Sequence, residues 1–163
     1  MKQYKVIIIG TSLTGKTTLI NYLRKTSDLS IKEMDEELTQ LNGGSYPQDD
    51  AYKNNILAPQ IKVKVLEGNI LFFTNAHYFT SEDLQTTHQK GFKIIQLFVD
   101  KEELEKRNKN RMENEGYEDN SQWLDSMLQY QKEIKEQGLV DDVINTNKPI
   151  EEIAKELLNI LNR

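Results

Sequence analysis

The sequence of 163 residues contains no cysteine. Disulfide bonds, thiolate metal sites and cysteine nucleophiles are therefore excluded. No apolar run approaches the ~20 residues that a membrane-spanning helix requires. The amino terminus leads into a single short apolar segment at residues 6–9, which is too short for the apolar region of a secretory signal. We therefore expect a protein that acts in the cytoplasm and has no membrane partner.

The chain also lacks an excess of positive charge. The chain has 21 Lys and Arg against 26 Asp and Glu, which gives a formal net charge of −5. The acids and bases are interspersed, so no basic stripe could neutralise a run of phosphates, and duplex nucleic acid is not expected as the main partner. A free nucleotide is not excluded, because it needs only a local positive site.

Short apolar runs alternate with longer helical patterns along the chain. The clearest runs, at 6–9, 70–73 and 94–99, are continuous, as expected of parallel strands buried on both faces. Weaker strand candidates lie at 30–34 and 142–145. Helical patterns are predicted for six segments, at 16–25, 49–66, 81–90, 101–115, 121–137 and from Pro149 onward. This alternation predicts one parallel α/β domain over residues 1–163.

The segment between the first strand and the first helix matches the pattern G-x-x-x-x-G-K-[ST] at every fixed position. Its residues, with the helical residue that follows them, are Gly10, Thr11, Ser12, Leu13, Thr14, Gly15, Lys16, Thr17 and Thr18. Glycines at both ends let successive N–H groups point at phosphate oxygens, and the helix adds its positive end. Lys16 is expected to reach the β- and γ-phosphates and the Thr17 hydroxyl to ligate Mg²⁺. The motif therefore predicts a binding site for ATP or a related nucleotide.

Beyond this loop, three further segments resemble the P-loop kinases of the nucleoside monophosphate kinase and shikimate kinase-like group, which are adenylate kinase-like. They are a short strand ending in acids at 32–37, a strand and helix with arginines four apart at 97–111, and a last strand, loop and helix at 140–150. The resemblance implies a three-layer α/β/α P-loop NTPase fold. It also implies a central five-stranded parallel sheet, an acceptor-binding region at 35–67 and a short helical lid at 107–120.

The resemblance also implies roles for individual residues. Asp35 would orient the acceptor hydroxyl, accept its proton or support the metal, although it could instead cap a helix beginning at Glu36. Arg107 and Arg111 share a helix face and would close onto the phosphates, although both could instead pair with Glu103 and other nearby acids. Asn147 would contact adenine. These implications add Lys16, Asp35, Arg107 and Arg111 as catalytic residues, and Thr17 and Asp35 as metal ligands.

Two departures from the family bear on the substrate. Asn75 stands where many P-loop proteins carry a metal-supporting aspartate, and the glycine triplet of shikimate kinases is missing after residue 73, which makes shikimate an unexpected substrate. No arginine lies between Lys25 and Lys106, although nucleoside monophosphate kinases usually clamp the acceptor phosphate with one from that region. Lys53, Lys62 and Lys64 could replace it only as point charges.

Three functions remain open on the sequence. The first is an ATP-dependent kinase that phosphorylates a hydroxyl of a small metabolite or antibiotic-like molecule. The second is a nucleoside monophosphate kinase, and the third is a nucleotide-binding regulatory module with weak or no transfer. Either a monomer or a homodimer is expected. Further candidates for the acceptor site are His77 and the aromatic residues Tyr46, Tyr52, Tyr78 and Phe79, and Trp123 is expected on the buried face of its helix.

Overall fold

Five strands form one parallel sheet in the computed structural model, which describes residues 3–11 and 13–163. The strands are β1 (Lys5–Gly10), β2 (Ile31–Glu33), β3 (Ile70–Asn75), β4 (Lys93–Phe98) and β5 (Asp142–Asn145). Their order across the sheet is β2-β3-β1-β4-β5. The predicted five-stranded parallel sheet is confirmed, including both of its weaker candidate strands.

Helices connect the strands and cover both faces of the sheet. They are α1 (Lys16–Thr26), α2 (Met34–Leu41), α3 (Asp50–Tyr52), α4 (Ala58–Leu66), α5 (Ser81–Gln89), α6 (Lys101–Glu115), α7 (Ser121–Glu136) and α8 (Ile150–Leu161). The region predicted as one helix at 49–66 is α3 and α4 joined by a π-helical turn, Lys53–Leu57. Helix α2 begins at Met34, two residues before the helix start at Glu36 that the sequence offered as an alternative.

The strands bury both of their faces because their side chains alternate between two cores. Along β1, Ile7 and Ile9 belong to one apolar cluster, and Val6 and Ile8 belong to the other. The first cluster contains side chains of α2 and α4, and the second contains side chains of α1 and α8. This arrangement confirms the predicted three-layer α/β/α architecture.

Helix α7 is buried along the face that its apolar residues predict, except at Trp123. Its buried residues include Leu124, Met127 and Ile134, whose spacing of three and seven keeps them on one side of the helix. Around the helix axis, Trp123 lies only about 20° from Ile134, but it belongs to the first turn of the helix. Trp123 is 53% exposed, so the prediction that it is buried is wrong.

The strand order brings the phosphate loop and two other strand ends to the same edge. Gly10, the last residue of β1, lies in register with Asn75 of β3 and Leu97 of β4. β2 ends beside β3, where Glu33 is in register with Phe73. Ligands bind at the carboxyl ends of parallel strands in open α/β sheets. Within the described ranges, no helix has the length and apolar character needed to cross a membrane.

Candidate active site

The loop between β1 and α1 has the conformation that its glycines predict. Gly15 has a φ of 88°, in the left-handed region, and its carbonyl accepts the first helical hydrogen bond from Leu19 at 3.0 Å. The Thr14 hydroxyl donates to the Thr11 carbonyl at 2.8 Å, which closes the loop on itself. Ser12, predicted to be part of this loop, lies outside the described residues. The backbone therefore turns sharply over the N-terminus of α1, where N–H groups remain free for an anion.

Leu13 has an unusual role in this loop. It is the one non-glycine residue of the described chain with a positive φ, 73°. A leucine in this conformation is uncommon, and such strain persists only where the surroundings enforce it. Its buried side chain packs with Leu104 and Leu124, which lie on α6 and α7. The apolar packing of Leu13 therefore holds the phosphate loop against α6 and α7.

Lys16 lies inside the loop rather than on its surface. Its side chain is 8% exposed, and Nζ donates to the carbonyl oxygens of Gly10 at 2.9 Å and Thr11 at 2.8 Å. Burial lowers the pKa of Lys16 to about 8, although the nearby carboxylates of Glu33 and Asp35 act in the opposite direction. The ammonium is thus poorly hydrated and close to acids, an environment in which an incoming polyphosphate gains a strong interaction.

Two acids face Lys16 from the end of β2 and the start of α2. Burial raises the pKa of Glu33, and the carboxylates of Asp35 and Glu36 raise it further. Burial also raises the pKa of Asp35, while Lys16 and Lys53 lower it. Asp35 Oδ1 is buried and has no hydrogen-bond partner within the described part of the chain. Because α2 already begins at Met34, the alternative in which Asp35 caps a helix starting at Glu36 is wrong.

These groups line one cleft of about 630 Å³ at the carboxyl edge of the sheet. Its walls are formed by Leu13, Gly15, Lys16, Thr17, Thr18, Glu33, Asp35, Asn75, Arg107, Asn110, Arg111, Glu115, Tyr117 and Asn120. All four residues predicted to be catalytic are in this set. The sequence analysis did not assign a site role to Glu33, Asn110, Glu115, Tyr117 or Asn120. The signal for Glu33 was its place two residues before Asp35, at the end of a strand.

The donor set at the bottom of the cleft fits Mg²⁺. Asp35, Thr17 and Asn75 present carboxylate, hydroxyl and amide oxygens to the same space, and these are the ligand types that Mg²⁺ prefers. The unpartnered Oδ1 of Asp35 is available to such an ion or to one of its waters. No group of three or more metal-binding His, Asp or Glu side chains occurs in the described ranges, so phosphate oxygens would have to complete the coordination.

Arg107 donates hydrogen bonds to three separate segments of the chain. Its guanidinium donates to the carbonyl oxygens of Leu13 at 2.9 Å and Thr146 at 3.1 Å, and to Glu103 Oε1 at 3.2 Å. The pairing with Glu103 is the alternative that the sequence left open, but the same side chain also bonds the phosphate loop and lines the cleft. Asn147, the predicted adenine contact, is exposed next to Thr146. Its backbone N–H donates to Asn145 Oδ1 at 2.8 Å.

Arg111 lies one helical turn further along α6 and also faces the cleft. Its Nε is 3.6 Å from Glu115 Oε2, and its guanidinium carbon lies 4.0 Å from the centre of the Tyr117 ring. The predicted lid therefore comprises the second half of α6 and the loop 116–120 before α7.

A second polar cluster lies outside the set of residues that line the cleft. The hydroxyls of Tyr46 and Tyr78 are 3.2 Å apart, and Lys53 Nζ donates to the Tyr46 hydroxyl at 3.4 Å. The Lys53 side chain is only 15% exposed and begins the π-helical turn. Burial raises the pKa of Tyr78, so its hydroxyl stays neutral. Since Lys53 lowers the pKa of Asp35, the cluster lies within electrostatic reach of the cleft.

The other residues considered for the acceptor site lie elsewhere. Phe79 is 1% exposed and belongs to the apolar core, where its ring centre lies 6.4 Å from that of Phe72. His77 is exposed and does not line the cleft. Tyr52 is 45% exposed.

No protein-family model and no curated protein sequence matches this chain. Solved structures do match it over nearly its full length. Shikimate kinase from Aquifex aeolicus is 21% identical with a TM-score of 0.71, over 96% of this chain and 95% of that one. Shikimate kinase from Bacteroides thetaiotaomicron is 17% identical with a TM-score of 0.70, over 99% of this chain and 100% of that one.

A gluconokinase from Sinorhizobium meliloti is also similar, at 15% identity and a TM-score of 0.66, over 99% of this chain and 93% of that one. All three neighbours are P-loop kinases of the adenylate kinase-like group. At these identities the likeness concerns the fold. The resemblance inferred from the motifs is thereby confirmed at the level of architecture: this chain has the fold of the P-loop kinases.

Proposed function

We propose that this protein is an ATP-dependent phosphotransferase that moves the γ-phosphoryl group of ATP to a hydroxyl of a small polar metabolite or antibiotic-like molecule. The observation that carries the proposal is the position of Asp35. Its buried, unpartnered Oδ1 belongs to the same cleft as Lys16, the phosphate-binding lysine of the loop. A buried carboxylate oxygen without a partner is costly unless a ligand satisfies it, and a hydroxyl donor is such a ligand.

On the phosphate side, the protein supplies positive charge from three directions. The loop amides and the N-terminus of α1 receive the phosphates, Lys16 stabilises the charge on the transferred group, and Arg111 faces them from the lid. Mg²⁺, when bound near Thr17 and Asp35, would neutralise charge on the phosphate oxygens. Asn75 would reach the ion through a water. The residues hold the γ-phosphoryl group in place and shield its charge, which is most of what phosphoryl transfer requires.

On the acceptor side, the hydroxyl oxygen attacks the γ-phosphorus while the bond to the bridging oxygen of ADP breaks. The acceptor proton passes to the Asp35 carboxylate, whose raised pKa makes it a better base than an exposed aspartate. Tyr46, Tyr78 and Lys53 present hydroxyl and ammonium groups that would orient a polar acceptor over Asp35. The products are ADP, the phosphorylated acceptor and one proton.

The scarcity of arginine favours a hydroxyl acceptor over a nucleoside monophosphate. Both arginines of the cleft come from α6, on the lid side. On the acceptor side, Lys53 is close enough to Asp35 to lower its pKa. Its Nζ lies 3.3 Å from Asp50 Oδ1, so its charge is already partly neutralised. A phosphate bearing two negative charges is usually held by the bidentate fork of arginine, which no residue of 26–106 can supply.

At the nucleoside end, we propose that Arg107 and Asn147 lie beside the base. Arg107 joins the Leu13 and Thr146 carbonyls, so it spans the gap between the phosphate loop and the turn after β5. Asn147 follows Thr146 in that turn and is exposed there. A base stacked on the Arg107 guanidinium beside this turn would receive its other contacts mainly from backbone groups.

The first experiment measures ADP formation from ATP and Mg²⁺ with a panel of acceptors: hydroxy acids, sugars, polyols, nucleosides, aminoglycosides and nucleoside monophosphates. Stimulation by a hydroxyl compound supports the proposal and names the substrate class. Stimulation by a monophosphate alone makes the protein a nucleotide kinase. ATP binding without stimulation by any class favours the regulatory module.

Matched variants then test the roles within the cleft. Asp35→Asn removes the base and is expected to lower kcat by about 10²- to 10⁴-fold, with little change in the Kd for ATP. Glu37→Gln is the control, because it removes a carboxylate from the same helix outside the cleft. If Asp35→Asn turns over as fast as Glu37→Gln, Asp35 is not the base. Lys16→Met is expected to lose both ATP affinity and turnover.

A further inference from the structure

The end of α6 folds back over its own last turn. Gly116 terminates the helix with a φ of 69°, and both its N–H and that of Tyr117 donate to the Arg111 carbonyl. Glycine is favoured at such a position because only it adopts the left-handed conformation without a penalty. The reversal brings Tyr117 from the far end of the helix back to the level of Arg111.

This reversal places an aromatic ring directly on the guanidinium. The Arg111 guanidinium carbon is 4.0 Å from the centre of the Tyr117 ring, well within the range of a cation–π contact. Arg111 Nε also lies 3.6 Å from Glu115 Oε2. Tyr117 is 54% exposed, so the ring is not there to fill the core. All three residues line the cleft.

A buried amide fixes the loop that carries the ring. Asn108 is 5% exposed; its side chain donates to Asp119 Oδ1 at 2.8 Å and accepts the N–H of Asn120 at 3.0 Å. Asp119 also accepts the N–H of Ser121 at 2.8 Å. The loop 116–120 is thus attached to α6 at one end and to the start of α7 at the other, and Tyr117 sits in the short span between these attachments.

We propose that Tyr117 is a positioning residue that holds Arg111 toward the terminal phosphate of the bound nucleotide. The inference rests on the proposed function and extends it to a residue outside the motifs. An unrestrained arginine side chain loses rotamer freedom when it meets a phosphate. The ring removes much of this freedom beforehand, so the interaction with the γ-phosphate becomes more favourable. ATP should benefit more than ADP, which lacks that phosphate.

The test is a double-mutant cycle read by calorimetric titration of the Mg²⁺ complexes of ATP and ADP. Tyr117→Leu is expected to raise the Kd for ATP about two- to fivefold and to change the Kd for ADP by less than half as much. Tyr117→Phe keeps the ring and is expected to bind as the wild type does, and Tyr117→Gln repeats the loss of the ring with a polar side chain. In an Arg111→Met background, Tyr117→Leu is expected to have no further effect.

Other results overturn the proposal. An equal loss for ATP and ADP that persists in the Arg111→Met background would mean that the ring contacts the nucleoside directly. Wild-type affinity in Tyr117→Leu and Tyr117→Gln would mean that the ring does not position Arg111. A loss that is accompanied by a fall in the melting temperature, and that Tyr117→Phe does not rescue, would mean a structural role. Failure of the wild type to bind ATP would instead refute the proposed function, and with it this role of Tyr117.

Discussion

Gly10 is so closely packed that the effect of replacing it with alanine can be derived from distances. A Cβ atom added at Gly10 would lie 2.5 Å from Thr14 Oγ1, 3.3 Å from Leu97 Cβ and 3.5 Å from Lys16 Cδ. The first distance is far shorter than a van der Waals contact, so Thr14 would have to move. Its hydroxyl would then lose the 2.8 Å hydrogen bond to the Thr11 carbonyl that closes the loop.

Two costs follow for Gly10→Ala. The lost hydrogen bond is worth about 1 kcal/mol, and the overpacking adds about 1–3 kcal/mol. The sum of about 2–4 kcal/mol should lower the melting temperature by roughly 5–15 °C in a chain of this length. Since Lys16 also borders the added atom, the affinity for ATP should fall as well. Thermal unfolding followed by circular dichroism and calorimetric titration of ATP measure the two effects.

Another glycine of the chain provides a matched control. A Cβ at Gly68 would meet nothing closer than the Val65 carbonyl oxygen at 3.8 Å, and Gly68 has no positive φ. Gly68→Ala should therefore be neutral or stabilise the fold by about 0.4–1 kcal/mol. In a Thr14→Ala background, the cost of Gly10→Ala should shrink, because the clashing oxygen is gone. A melting temperature for Gly10→Ala within 2 °C of that for Gly68→Ala would refute this account of the loop.

Three further predictions concern other parts of the site and its surroundings. Asn108→Ala should cost about 1–3 kcal/mol in urea unfolding, because it leaves polar groups of the loop 116–120 unpaired; an unchanged midpoint would contradict that network. Trp123→Gln should change stability by less than about 0.5 kcal/mol, and acrylamide should quench the wild-type indole readily, because the side chain is 53% exposed. Burial raises the pKa of Asp35 above its ordinary value of 3.8, so the folded state holds this proton more tightly than the unfolded state does. The stabilisation from Asp35 is therefore present below pH 3.8 and is lost as the pH rises through the folded pKa. Asp35→Asn should consequently be more stable than the wild type at pH 7, and the difference should shrink as the pH is lowered; a constant difference would refute the shift.

The sequence predicted the parts of the fold that are determined locally. Buried parallel strands require continuous apolar runs, and 6–9, 70–73 and 94–99 supply them, so these strands were found with small errors at their ends. A helix after β2 was an alternative beginning at Glu36, although the first turn of α2 holds Asp35, Glu36 and Glu37, a pattern typical of a helix N-terminus. The resemblance favoured a site role for Asp35 over this structural signal.

Features that depend on distant contacts could not be predicted. Tyr46 and Tyr78 are 32 positions apart and meet only because β2, β3 and the connections between them lie side by side. The Arg107 contact with Leu13 spans 94 positions, and it exists because α6 packs over the phosphate loop. The exposure of Trp123 likewise depends on tertiary packing, because its position around the helix axis is close to that of the buried Ile134. In contrast, the reversal at Gly116 is local, and a glycine after a polar helix with an aromatic residue next to it was a usable signal.

The charges of the cleft suit phosphoryl transfer to a hydroxyl. Lys16 is buried with a pKa lowered to about 8, and Asp35 is buried with a raised pKa, so each charged form is disfavoured by its surroundings. The opposite charges of Lys16 and Asp35 lower the free-energy cost of burying each ionised group, which explains how both remain in one cleft. A polyphosphate satisfies Lys16 but repels Asp35. An acceptor hydroxyl, or a metal ion with its waters, satisfies Asp35 without disturbing Lys16. Phosphoryl transfer to a hydroxyl uses both groups, Lys16 for the phosphates and Asp35 for the acceptor.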